Sequence, residues 1–149
     1  MRRSQVYILI GVAVFLFIAV SAMVARALSA TGTERSRVLD IAQAQARGDA
    51  DAVLRQTPAC KAQPACVATT KQFVPKLQNA GEVQILQYRP SVNLPLTTET
   101  ATGRVAWRAG TNLPVVQCVR VRREGPVSGA DVEILSISAP IKNDAACPQ

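Results

Sequence analysis

Residues 104–123 read Arg-Val-Ala-Trp-Arg-Ala-Gly-Thr-Asn-Leu-Pro-Val-Val-Gln-Cys-Val-Arg-Val-Arg-Arg. In Arg104–Arg108, Val105 and Trp107 fall on one face and Arg104, Ala106 and Arg108 on the other. That period of two is what a half-buried strand requires. Val115–Arg123 repeats it, with Val115, Val119 and Val121 on one face and Arg120 and Arg122 opposite. Two such strands have an apolar face to bury and a basic face turned away from it.

Similar runs flank this stretch. Glu82–Arg89 carries Val83, Ile85, Leu86 and Tyr88, and Ser91–Thr98 is a further run whose Pro90 and Pro95 suit only an edge. Glu124–Gly129 is a turn. In Asp131–Ser138 the apolar set begins with Val132 and Ile134 and then shifts to Leu135 and Ile137, which predicts a β-bulge near Ile134. Ala139–Gln149 reads as loop.

The region before residue 80 is helical. Thr33 or Ser36 is placed to cap a helix whose apolar positions are Val38, Leu39, Ile41, Ala42 and Ala46, close to a 3.6 period. Gly48 interrupts it, Asp49 is an N-cap for Ala50–Gln56, and Thr57-Pro58 ends that second helix. Pro64 opens a third helix running to about Gln78, with a break near Phe73 imposed by Pro75. Helices followed by an antiparallel sheet make an α+β domain. Val38, Ile41, Val53, Leu54, Phe73 and Leu77 should meet Val83, Ile85, Val105, Trp107, Val119 and Val121.

Residues 6–25 contain no charge and no proline, and Arg2, Arg3 and Arg26 bracket them. As a helix they cover about 30 Å, the hydrocarbon thickness of a bilayer. The run exceeds the apolar core of a secretory signal, so it reads as an uncleaved anchor, with cleavage at Ala25-Arg26-Ala27 as the alternative. The organisation expected is a cytoplasmic terminus at 1–5, a transmembrane anchor at 6–26, a linker at 27–33, a domain at 34–140 and a tail at 141–149. All four cysteines lie beyond the apolar run, which suits an oxidising compartment and sets the orientation: N-terminus inside, domain outside a plasma membrane.

The chain carries a net charge of +7 and no histidine. Without an imidazole, Ser-His-Asp and Cys-His hydrolysis and histidine-based zinc sites are excluded. Asp40, Asp49 and Asp51 form no evident acid–base couple. No phosphate-cradling loop or metalloprotease motif is present, and no cofactor or metal is expected. Basic residues are not interleaved with aromatics, so nucleic acid is not an expected partner.

Cys60, Cys66, Cys118 and Cys147 allow three pairings. Cys60 and Cys66 flank the start of the third helix, and Cys118 shares the outward face with Arg120, where a returning tail brings Cys147. Cys60–Cys66 with Cys118–Cys147 is the favoured pairing; free thiols are the alternative. Arg104, Arg108, Arg120 and Arg122 form a candidate interaction face, with Glu133 across from one of them; a plain solvated face is the alternative. Trp107 and Tyr88 are candidate lining for an internal cavity, and Trp107 is otherwise core.

The run Ala46-Arg-Gly-Asp-Ala-Asp-Ala-Val-Leu54 resembles the helix, Gly-Asp, short-helix opening of the nuclear transport factor 2-like superfamily, over about residues 34–140. The resemblance implies a cystatin-like roll, with about three helices packed on a curved antiparallel sheet of four to five strands. An apolar span leading into such a domain is also similar to Mce-associated proteins and the inner-membrane assembly subunits of type IV secretion systems, which are scaffolds. The expectation is a non-enzymatic, membrane-anchored extracytoplasmic scaffold or interaction module of a bacterial envelope, with the bilayer and an envelope protein or a second copy as partners. The alternative is a roll that holds a small apolar ligand such as a lipid.

Overall fold

A computed structural model describes residues 3–89, 99–124, 131–142 and 147. The first element, α1, is a single helix from Arg3 to Ala46. The sequence reads as an anchor over 6–26 and a joint over 27–33, and the structure has neither. Among the described residues no helix is long and apolar enough to cross a membrane. That finding overturns the single-pass anchor and, with it, the plasma-membrane placement and the inside–outside orientation. The apolar run is instead the first half of a helix that continues through Arg35, Arg37 and Asp40 into the domain. Its Tyr7, Phe15 and Phe17 are 73%, 72% and 73% exposed, so this half adds nothing to the domain core.

Helix continuity across 27–33 has a physical reason. Thr and Ser are only modestly unfavourable inside a helix, and Gly32 costs about 1 kcal/mol relative to alanine. Nucleating a second helix after a break costs more than propagating the first. Thr33 and Ser36 therefore lie inside the helix and start none.

From residue 34 onward α1 becomes one-sided. Glu34, Val38, Ile41, Ala42 and Gln45 are buried at helical spacing. Gly48, at φ +72°, closes the helix: its N–H donates to the Gln45 carbonyl at 2.8 Å, and the Asp49 N–H donates to that of Ala44 at 3.0 Å. Asp49 then caps α2 (Ala50–Gln56), accepting from the Ala52 N–H at 2.8 Å. The sequence leaves Pro58–Lys61 as loop, but it forms a one-turn helix, α3, because Pro58 occupies the first helical position. Helix α4 (Pro64–Phe73) yields to a 3-10 turn over Val74–Leu77 where Pro75 breaks it, as the sequence predicts.

Four strands complete the described chain: β1 (Val83–Arg89), β2 (Glu99–Ala109), β3 (Val115–Glu124) and β4 (Asp131–Ile137). They form an antiparallel sheet in the order β1-β2-β3-β4. The run Ser91–Thr98 and most of the 124–129 turn lie outside the described residues. The bulge expected near Ile134 is present at Leu135, since Val121 pairs with Ile134 and Arg120 with Ser136. A second register shift lies between Ile85 and Gln87 on β1. Val105, Trp107, Ala109, Val119, Val121, Val132, Ile134 and Ile137 turn inward and pack on Val38, Ile41, Ala42, Val53, Phe73, Val74 and Leu77.

One buried charge crosses this interface. Glu34 has no exposed surface, and Arg123 on the inner face of β3 donates to its carboxylate at 2.5 Å. The Tyr88 hydroxyl of β1 donates to the other carboxylate oxygen. The second half of α1 is thereby tied to two strands.

Two outcomes are expected. Gly32→Ala, with open space around a Cβ at that position, should raise stability to chemical denaturation by up to about 1 kcal/mol, because the site is helix interior; no change would indicate a joint at this point. Glu34→Ala should cost about 3–5 kcal/mol by stranding Arg123, whereas the double change Glu34→Met/Arg123→Met should cost much less. Additive losses in that cycle would show the pair to be uncoupled.

Candidate functional site

The face of the sheet turned away from the core carries the arginines. Strand alternation places Arg104, Arg108, Arg120 and Arg122 together there, and the register fixes their neighbours. Arg89 pairs with Arg104, Thr102 with Arg120, Thr100 with Arg122, and Gln84 with Arg108. Arg120 also pairs with Ser136, and Arg122 with Glu133. Arg122 and Glu133 form the expected cross-strand ion pair at 3.3 Å. Arg108 donates to the Gln84 side chain at 3.4 Å, and its Nε is buried without a partner. Arg104, Arg108 and Arg122 are half-buried, whereas Arg120 is exposed.

Both disulfides are those expected: Cys60–Cys66 and Cys118–Cys147. They meet at one place. An open groove of about 480 Å³ is lined by Ala65, Cys66 and Thr69 of α4 and by Thr102, Cys118, Arg120, Ser136, Ile137 and Ser138. Each cystine thus contributes one half to the groove. Cys60–Cys66 holds the first turn of α4, and Thr70 donates to the Cys60 sulfur at 3.6 Å. Cys118–Cys147 holds the tail against β3, which also pairs through Val116 with Ile141.

The groove floor is ordered by a neighbouring hydrogen-bond chain. The Trp107 indole N–H donates to Gln117 Oε1 at 2.8 Å, and Gln117 Nε2 donates to the Ser138 carbonyl at 2.7 Å. The Cys118 N–H donates to Ser138 Oγ at 2.9 Å. Ser138 is therefore fixed by β3 through both its backbone and its side chain.

The two residues offered as cavity lining lie elsewhere. Trp107 has no exposed surface and sits in the core with its indole nitrogen satisfied. Tyr88 is half-buried and bonded to Glu34. The groove, a cleft of about 460 Å³ containing Arg37, Asp40, Arg55 and Glu133, and one of about 370 Å³ beside β1 are lined by other residues. Among the described residues no group of three or more His, Cys, Asp or Glu side chains is placed to hold a metal ion.

The shared face of the arginines is legible in the sequence, but the placing of Thr69, Thr102 and Ser136 beside them is not. Thr102 has the alternation of Arg104, so its face could have been read. Its place beside Arg120 depends on the β2–β3 register, and that of Thr69 on where α4 docks.

Comparison with protein-family models, curated proteins and solved structures found no match to this chain.

Removing Cys118–Cys147 by paired serine substitution should cost more than removing Cys60–Cys66. The loops span 29 and 6 residues, so loop entropy predicts about 3–4 against about 2 kcal/mol. Urea denaturation of the two double variants measures the difference, and equal losses would mean that native packing, not loop closure, governs both.

Proposed function

We propose that this chain is a non-catalytic interaction module that works in an oxidising, extracytoplasmic setting and docks a protein partner through the arginine-bearing face of its sheet. The observation that carries the reading is the clustering of Arg104, Arg108, Arg120 and Arg122 on one face, with Arg89 opposite Arg104. Glu133 brings a counter-charge to that cluster, and it is engaged with Arg122. Asp131 shares the outward face of β4 with Glu133, so the surface is predominantly rather than wholly basic. A surface with a net excess of one sign selects partners of the other sign and speeds their encounter. Arginine also suits interfaces, since its planar fork pairs with carboxylates in two-point geometry.

The two cystines support the compartment, because reducing cytosol keeps such thiols apart. The lack of histidine in the sequence favours binding over acid–base chemistry. An internal apolar ligand has less support, since Trp107 fills the centre of the domain and is tied to Gln117.

The test is site-specific photocrosslinking in cells from Thr100 and Ala106 on the basic face, with Gln43 on exposed helix α1 as the comparison site. One protein should be captured in stoichiometric yield from the two sheet positions, and Arg104→Glu/Arg122→Glu should reduce that yield about tenfold or more. Capture from Gln43 alone, or capture indifferent to charge reversal, would place the working surface elsewhere.

A further inference from the structure

We infer that the groove between α4 and the outer sheet face is a recognition site for an extended segment of a partner polypeptide, centred on an aspartate or glutamate with small apolar residues on either side. The inference rests on the docking function proposed for the arginine face and narrows it to one place and one chemistry.

Three observations converge. First, Thr102, Arg120 and Ser136 are consecutive cross-strand partners on β2, β3 and β4, and all three line the groove. Directly opposed residues have Cβ atoms about 4.5–5.5 Å apart, so the Arg120 side chain rises from the sheet between two hydroxyl-bearing residues in one row. That arrangement matches a carboxylate, which accepts from the guanidinium and has lone pairs left for hydroxyl donors. Arg120 is exposed, so the row is accessible from the groove.

Second, the rest of the lining is not charged. Ala65, Ile137, Cys66 and Cys118 offer apolar surface around the row, beside the neutral hydroxyl residues Thr69 and Ser138. A bare inorganic anion gains nothing from such walls, whereas a peptide buries side chains against them. The volume, about 480 Å³, falls in the range of about 300–1,000 Å³ typical of small-ligand sites. By contrast, the cleft of about 460 Å³ near α2 mixes Arg37 and Arg55 with Asp40 and Glu133, and it selects no sign of charge.

Third, the α4 wall and the floor are each braced before anything binds. One cystine holds the first turn of α4, and the other ties Cys118 of the floor to Cys147. A site that needs no ordering on binding loses less entropy when it fills. The placement of both disulfides at the rim of one groove fits that role.

Fluorescence anisotropy on the oxidised full-length chain tests the proposal, with fluorescein-labelled Val-Ala-Asp-Ala-Val as the probe and its Asn analogue as the control. Saturable binding of the Asp peptide is expected, about tenfold or more tighter than the Asn peptide. Arg120→Glu should abolish it, Arg120→Lys should restore part of it, Arg108→Glu should cost clearly less than Arg120→Glu, and Lys76→Glu, exposed on the 3-10 turn, should change it by less than about twofold. Equal binding of the two peptides overturns the site, as does undiminished binding by Arg120→Glu. Equal losses from Arg108→Glu and Arg120→Glu would overturn the groove while leaving the broader basic face in place. Competition by inorganic phosphate or anionic vesicles that displaces the peptide through Arg120 at lower concentration would reassign the groove to those ligands. Failure of the peptide to bind also overturns this site, and the crosslinking experiment decides the docking face independently.

Discussion

A carboxylate with no exposed surface holds this domain in its observed arrangement. Glu34 receives Arg123 from β3 and Tyr88 from β1, so one side chain fixes the second half of α1 against two strands that are not neighbours in the sheet. A buried charge costs several kcal/mol to desolvate, and its partners return that energy only in good geometry. The consequence is specificity of placement: a helix slid by one turn on the sheet would leave Glu34 unpaired in the core. Apolar contacts among Ile41, Val53, Trp107 and Val121 supply the larger attraction, but they are non-directional and do not by themselves select the docking register.

The same division of labour recurs on the opposite side of the sheet. Strand alternation sends the arginines outward because their alternating neighbours are valines and a tryptophan that must be buried. Register then decides which polar groups stand beside each arginine. One cystine holds α4 beside the face and the other braces Cys118 on its floor, so the outer face carries a shaped groove in place of a flat charged surface. The chain Trp107–Gln117–Ser138 links the groove floor to the core through hydrogen bonds of ordinary length.

Much of this was legible residue by residue. Strands β1, β3 and β4, the Arg104–Arg108 half of β2, the Asp49 cap, the break before Pro75, the bulge on β4 and the cystine pairing come from local rules: period two, capping chemistry, a missing proline N–H, phase shift and face assignment. Glu133 facing the arginines was legible too, but its pairing with Arg122 comes from the register, as does the extension of β2 back to Glu99. The errors also share a cause. Reading 27–33 as a joint weighed Ser, Thr and Gly as local breakers and ignored that a helix already formed on one side propagates cheaply. Reading Pro58 as a stop overlooked that proline also starts helices. Separating residues 6–26 from the rest of α1 created a span that the structure does not contain. The pairings of Glu34, Gln117 and Tyr88 are not legible in the sequence, because nothing in a linear pattern marks which polar residue will face another 10, 21, 54 or 89 positions away.

The sequence by itself determined the α+β class, the order of elements and which side chains turn inward, because these depend on periodicities and backbone preferences that act over a few residues. The tertiary structure decided that α1 is continuous, that Glu34 is shared between Arg123 and Tyr88, and that Arg120 stands between Thr102 and Ser136 in a groove rimmed by both disulfides. Those features depend on strand register and helix docking. Both are fixed by the summed packing of distant segments, which local propensity does not contain.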